Sequence, residues 1–310
     1  MFIAQAYKGD NAKWKVAITT ILVMGIFILN FIAYLFTSPE DLDKMYEMMK
    51  SIPANVNLVL NLGVFIPILI LLFVLVKYLH NRSILSLTTS REKFDFKRFA
   101  FSLSLIVIFT IGGFFISYYL TPEDYVLQFE PTNFIILFVI SLLMFPFQIG
   151  LEEWLFRGYL MQQLGVASKS KWFPLIVTSV LFGVFHSANP EVAEMGAITM
   201  VFYIGTGLLL GIMTLMDEGL EMALGFHLGN NFLAAVLVTT DYSALQTDAI
   251  FKSTAASSTT LEIIFPVLVI YPIFLGILAY KYKWTGWKEK LFGPVEKPKE
   301  TQLEDNLVPD

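Results

Sequence analysis

The chain has no cysteine, only three histidines, and little charge: 15% of its 310 residues are Asp, Glu, Lys or Arg. Without cysteine there are no disulfides, no thiolate nucleophile and no Cys-based metal site. A soluble chain of this length carries about 25% charged residues, so a water-soluble globular protein is a poor fit. Glycine-rich phosphate loops are absent, as is any basic-aromatic pattern for nucleic acid, and no inverted internal repeat of the transporter kind is visible.

What is there is hydrophobic: 56% of the residues, with a mean hydropathy of +0.65. The apolar residues fall in blocks at 14–36, 56–79, 99–120, 133–149, 172–187, 197–216, 219–239 and 261–280. Most approach the ~20 residues a helix needs to cross ~30 Å of hydrocarbon. The expectation is an all-α, polytopic transmembrane bundle of about eight spans. The first block ends without a small-residue cleavage pattern and reads as a retained helix. A polar piece at 38–51 reads as a surface helix starting near Pro39, and 81–98 as a basic loop. The stretch from Lys283 onward, rich in Lys, Glu and Pro, reads as a solvated, disordered tail.

Placement of lysine and arginine sets the orientation. With the N-terminus inside and sides alternating, only Lys44, Lys50 and Lys252 fall outside. A wrong span count would scramble that asymmetry. It supports cytoplasmic termini in a plasma membrane, with the lipid bilayer as one partner.

Ionisable groups inside apolar spans are costly and mark function. His80, beside Asn81 and Arg82, reads as an ordinary interfacial residue. His186 and His227 lie in apolar surroundings. So do the adjacent Glu152 and Glu153, set among Leu, Trp and Phe, with Arg157 four residues after Glu153. On a helix Glu153 and Arg157 pair at i,i+4, while Glu152 points about 100° away and is free to face a cavity. His227 and Asn231, again i,i+4, share a helical face. A carboxylate and an imidazole can activate water. A second imidazole and an amide can hold an oxyanion. The pattern points to hydrolysis by activated water, with a peptide bond as the natural substrate. Each element alone has a plainer structural reading: an interhelical hydrogen bond for Asn231, an ion pair for Glu153 and Arg157, a structural histidine for His186 or His227. The adjacent Asn230, on another face, is given a structural role. Pro146 and Gly150 read as a kink or break before the motif.

The ordered trio Glu152-Glu153-x-x-x-Arg157, Phe182-x-x-x-His186 and His227-x-x-x-Asn231 resembles the CPBP (Abi) family of intramembrane proteases. That family includes type II CAAX prenyl endopeptidases and bacterial proteins tied to bacteriocin self-immunity. The resemblance covers roughly 133–239. It divides the chain into N-terminal membrane helices and a basic loop at 1–132, a catalytic core at 133–239, an outer loop and last helix at 240–282, and a tail at 283–310. It implies a membrane-embedded catalytic cavity and a peptide or lipidated protein substrate. It further implies that Glu152 activates water with His186, that Glu153 and Arg157 support the site, and that His227 and Asn231 hold the oxyanion. Zinc stays open: Glu152, His186 and His227 are acceptable ligands, but no HExxH is present, and the glutamate-dependent, metal-free mechanism is preferred. A non-catalytic scaffold or immunity protein on the same fold is the alternative. The mechanism carries one structural condition. With the fourth span ending at Ile149, Glu152 lies at the inner face while His186 lies about 20 Å away along its own helix. The two meet if the chain breaks near 146–150 and the motif helix is embedded in the membrane or lines a water-filled cavity; the alternative is that the span limits are off by a turn or two.

Overall fold

The computed structural model describes residues 1–255 and 260–298. Helices dominate: α1 (Lys13–Phe36), α2 (Pro39–Lys50), α3 (Ala54–Leu79), α4 (Ile84–Thr88), α5 (Phe96–Leu120), α6 (Pro131–Ser168), α7 (Trp172–Val184), α8 (Pro190–Met195), α9 (Thr199–Asp217), α10 (Glu221–Val236), α11 (Thr260–Tyr282) and α12 (Trp287–Phe292). A chain of such hydropathy in lipid must satisfy its backbone groups internally, which helices do. The exception is a small sheet at one end, where β3 (Phe251–Ser253) pairs with β1 (Tyr125–Leu127) antiparallel and with β2 (Val238–Thr239) parallel.

The protein is a polytopic helical bundle. Each of the eight apolar blocks carries a helix, but among the described residues only α1, α3, α5, α6, α9 and α11 are long and apolar enough to cross a membrane. The expected eight spans therefore become six candidates plus two shorter helices. These are α7 and α10, with 13 and 16 residues. Both still run between the same two ends of the bundle. At one end the N-terminal segment, the basic loop, the α6–α7 turn, the α9–α10 turn and the C-terminal segment touch: Asp10 N donates to His80 O, Ser90 N to Glu218 O, and Lys290 Nζ to Met216 O. At the other end Tyr46 donates to Ala188 O and Ala244 N to Glu191.

Charge pairing fixes the first of these ends. Arg91 bridges Asp217 and Glu221 (2.8 and 3.1 Å), and Arg98 also reaches Asp217. Asp217 and Glu221 are buried, so these bonds fix where α10 begins. The C-terminal segment belongs to the same end. The expectation of a solvated tail from Lys283 gives way over 283–298: Trp284, Leu291 and Val295 are buried, and Val295 N donates to Lys169 O. Its spaced apolar residues bury against the bundle despite the polar composition around them. Residues 299–310 of that expected tail lie outside the described residues. The polar piece at 38–51 forms α2 as expected, with Ser38 capping Asp41 N.

The expected break near 146–150 does not occur. α6 is continuous for 38 residues, about 57 Å at ~1.5 Å per residue. Pro146 lies inside it without ending it, and a separate π-helical stretch follows at Trp154–Leu160. Proline is tolerated in membrane helices when neighbours and local π adjustments satisfy the freed groups. Gly150 is needed for packing: a Cβ there would come within 2.7 Å of the Trp154 ring, whose Nε1 donates to Thr88 Oγ1 at 2.8 Å.

Continuity removes the difficulty it was meant to solve. α6 and α7 form a hairpin around Lys169–Lys171, closed by Lys169 in the left-handed region at φ 54°. Counted from that turn at ~1.5 Å per residue, Glu152 lies about 24 Å up α6 and His186 about 21 Å up α7. The two stand at one depth because α6 ends at Ser168 rather than at Ile149.

Candidate active site

Two close helix contacts position the site. α10 packs parallel to α5 through Gly225 and Gly229, where an added Cβ would meet Phe99 O at 2.3 Å and the Ile106 side chain at 2.5 Å. Small residues four apart let membrane helices approach this closely. His227 and Asn231 lie on the opposite side of α10, about 200° and 240° around from Gly225, and face α6. α7 and α9 pack antiparallel in the same manner, with Gly207 against Ser179 and Gly183 against Ile204.

Glu152, Glu153, Arg157, His227 and Asn231 come together at these contacts. Arg157 Nη1 donates to Glu153 Oε1 (2.8 Å), and both side chains are fully buried. Arg157 Nη2 also donates to Gly207 O (3.2 Å), and its guanidinium lies over the Phe182 ring at 4.4 Å. The same Glu153 oxygen takes His227 Nδ1–H at 2.8 Å. With the hydrogen on Nδ1, the lone pair of His227 Nε2 points at Glu152, 3.6 Å from Oε2. That separation is too long for a hydrogen bond and suits a bridging water. Glu152 Oε2 is buried and has no partner among the described residues.

The other oxygen of Glu152 is held. Gln148 Nε2 donates to Glu152 Oε1 (2.6 Å), Asn231 Nδ2 donates to Gln148 Oε1 (3.1 Å), and Asn230 Nδ2 donates to Asn231 Oδ1 (3.1 Å). Asn231 thus reaches Glu152 through Gln148, and Asn230 donates to the Asn231 amide oxygen. Gln148 was not foreseen from the sequence. The available signal was a polar side chain inside an apolar span, one helical turn before Glu152.

His186 stands apart. It lies beyond the end of α7, in the turns at 185–188. Its Nδ1 donates to Phe182 O (2.7 Å), leaving Nε2 free. Among the described residues no hydrogen bond or ion pair joins it to Glu152 or His227. It connects to them through Phe182, whose ring lies 4.6 Å from the His186 ring and 5.9 Å from that of His227. The Phe182-x-x-x-His186 spacing therefore has a use: Phe182 is the buried plate between Arg157 and the two imidazoles.

His80 departs from its interfacial reading. It is buried, with Nδ1 donating to Asp10 O (2.7 Å) and Nε2 beside Thr19 and Tyr159 hydroxyls at 3.0 Å each. It joins α1 and α6 at the basic end. A metal set does not assemble: among the described residues no three His, Asp or Glu side chains are gathered for an ion. The zinc set Glu152, His186 and His227 is not brought together, and Glu153 Oε1 is taken by Arg157 and His227. A cavity of about 290 Å³ lies away from these residues, lined by Lys50, Pro53, Asn57 and Gln246 at the end opposite the basic loop.

Residues 131–233 match the family model of type II CAAX prenyl endopeptidase Rce1-like proteins. The chain is also similar to the uncharacterized protein YyaK of Bacillus subtilis (strain 168), with 25% identity over 291 residues, 91% of this chain and 97% of that one. No solved structure matches. With its six apolar helices the chain is an integral membrane protein, and the family match supports a CAAX-type protease kind of function. The matched segment spans all three motifs that converge around Glu152 and Phe182, and it supports placing this protein in the CAAX/CPBP protease family.

Proposed function

We propose that the protein is an endopeptidase of the bacterial plasma membrane, with both termini cytoplasmic, that cuts a membrane-associated peptide or lipidated protein by glutamate-activated water. One observation carries this reading: Glu152 Oε2, buried and unpartnered, faces His227 Nε2 across 3.6 Å. Water held there gives a proton to Glu152 as its oxygen attacks the scissile carbonyl carbon. The proton can pass to His227 Nε2, while Glu153 accepts from Nδ1–H on the far side of the ring. His227 then donates to the oxyanion together with the second Nδ2–H of Asn231. When the tetrahedral intermediate collapses, the C–N bond breaks and the proton goes to the leaving amine. Gln148 holds Glu152 in place, and Arg157 keeps Glu153 an acceptor. His186, with Nε2 free, accepts from the water or the substrate amide.

The test is cleavage of a peptide library, including peptides ending in a prenylated CAAX sequence, by the purified protein in lipid vesicles. Glu152→Gln is expected to lower turnover by at least 100-fold with unchanged thermal unfolding. His186→Ala should lose activity as well. Cleavage that survives both substitutions rejects the assignment. Loss of cleavage on chelation, with stoichiometric metal in elemental analysis, would reject the metal-free course.

A further inference from the structure

Tyr203 and Glu191 lie outside the three motifs, yet they complete the surroundings of His186. His186 lacks the restraint of a helix, since α7 ends at Val184. Its Nδ1–H on Phe182 O fixes one edge of the ring and leaves the plane free to swing. The plane is held by two aromatic faces: Phe182 at 4.6 Å and Tyr203 at 4.4 Å, the latter stacked at 25°. Gly183, where a Cβ would meet Ile204 Cγ1 at 2.4 Å, presses the end of α7 against the residue following Tyr203.

Tyr203 is itself fixed. Its hydroxyl donates to Glu191 Oε1 and accepts from Asn189 Nδ2 (3.1 Å), which also donates to Glu191 Oε1 (3.2 Å). The other Glu191 oxygen accepts Ala244 N–H at 2.9 Å. Both Glu191 oxygens are therefore occupied, and the Tyr203 hydrogen is committed to one of them. The hydroxyl has no hydrogen left for an oxyanion. What Tyr203 offers the site is its ring.

The geometry points to Tyr203 as a positioning residue that holds the His186 imidazole by stacking, with Glu191 locking Tyr203 and tying it to the outer loop at Ala244. This rests on the peptidase reading, in which His186 Nε2 meets water or substrate. The placement of a catalytic imidazole then depends on a loop remote from the motifs in sequence.

The small number of histidines gives a direct readout. Protein labelled with [¹⁵N]histidine in detergent shows three imidazoles, assigned with His80→Gln and His186→Gln. Wild type should show His186 as the Nδ1–H tautomer. Tyr203→Phe keeps the ring but loses its bond to Glu191, and should broaden the His186 signal while keeping the Nδ1–H tautomer, with kcat lowered less than in Tyr203→Leu on a quenched peptide ending in a prenylated CAAX sequence. Tyr203→Leu should shift the His186 signal, mix its tautomers, and lower kcat by about 10- to 100-fold with KM within twofold. An unmoved His186 signal in Tyr203→Leu overturns the inference, as does Tyr203→Phe proving as damaging as Tyr203→Leu. Should Tyr203→Leu fail to give a monodisperse protein, Glu191→Ala carries the test: broadened His186 signals support it and unchanged ones overturn it. The NMR arm needs no substrate. Failure of the peptidase reading, seen as full activity in Glu152→Gln, is thus told apart from failure of this one.

Discussion

Gly225→Ala is the most direct probe of how the helix contacts serve the site. The added methyl would lie 2.3 Å from Phe99 O, 3.1 Å from Phe99 C and 3.1 Å from Leu103 N. All three are backbone atoms of α5, so no rotamer change relieves the clash. Ordinary contact begins near 3.4 Å, and the helices must separate by about 1 Å. Overpacking of this kind costs about 1–3 kcal/mol, offset by up to about 1 kcal/mol of helix propensity gained on replacing glycine. The displacement has a direction. His227 and Asn231 lie across α10 from Gly225, so the shift drives them towards α6, where His227 Nδ1 is already 2.8 Å from Glu153. A misplacement of 1 Å can cost about 100-fold in rate. Gly113→Ala is the control, since nothing lies within 4 Å of a Cβ there. The assay is thermal unfolding in detergent at a fixed scan rate, with peptide turnover in vesicles. Gly113→Ala should match or slightly exceed wild-type stability and keep its activity. Gly225→Ala should melt several degrees below Gly113→Ala and lose about 100-fold in turnover. If the two variants behave alike, close α5–α10 packing does not position the imidazole, and the reasoning fails.

Two further perturbations test the buried polar groups. Arg157→Met leaves Glu153 uncompensated in a fully buried position, which should cost about 3–5 kcal/mol; adding Glu153→Gln should restore part of that loss, and a double variant no more stable than the single would show that the ion pair is not what Arg157 supplies. His80 gives a pH test outside the spans. Burial lowers its pKa below the usual histidine value, helped by the nearby Arg82 and Lys15 and opposed by its bond to Asp10. The unfolded chain therefore takes up the proton first as pH falls, so the neutral imidazole's contribution is whole above about pH 6.5 and is lost below it. Between pH 8 and pH 5.5 the melting temperature of wild type should drop further than that of His80→Gln, and equal drops would remove His80 as the cause.

How far the site was legible from sequence divides by the kind of physics involved. Glu152, Glu153, Arg157, His227 and Asn231 were legible because burying an ionisable or amide side chain in an apolar helix is costly, and i,i+4 spacing says which of them share a face. The structure keeps both local pairings in the sense that Arg157 meets Glu153 and Asn231 stays on the face of His227. What periodicity cannot supply is where a helix stops. Ending the fourth span at Ile149 followed the drop in hydropathy at Glu152 and Glu153, although those residues are buried because the protein, not lipid, surrounds them. The supposed end of the helix was its middle, and with α6 running on to Ser168 Glu152 and His186 come to similar depths without a break, though not into direct contact. The same local view missed Gln148 and Tyr203. Gln148 is a neutral residue whose importance comes only from what lies across the helix interface, and Tyr203 belongs to a helix that α7 meets through Gly183 and Gly207. It also read 283–298 as solvated tail from composition, where Leu291 and Val295 bury against the basic end. Within-helix chemistry is written in spacing. Contacts between helices are set by where glycine allows backbones to touch, and those glycines acquire meaning only when the partner helix is known.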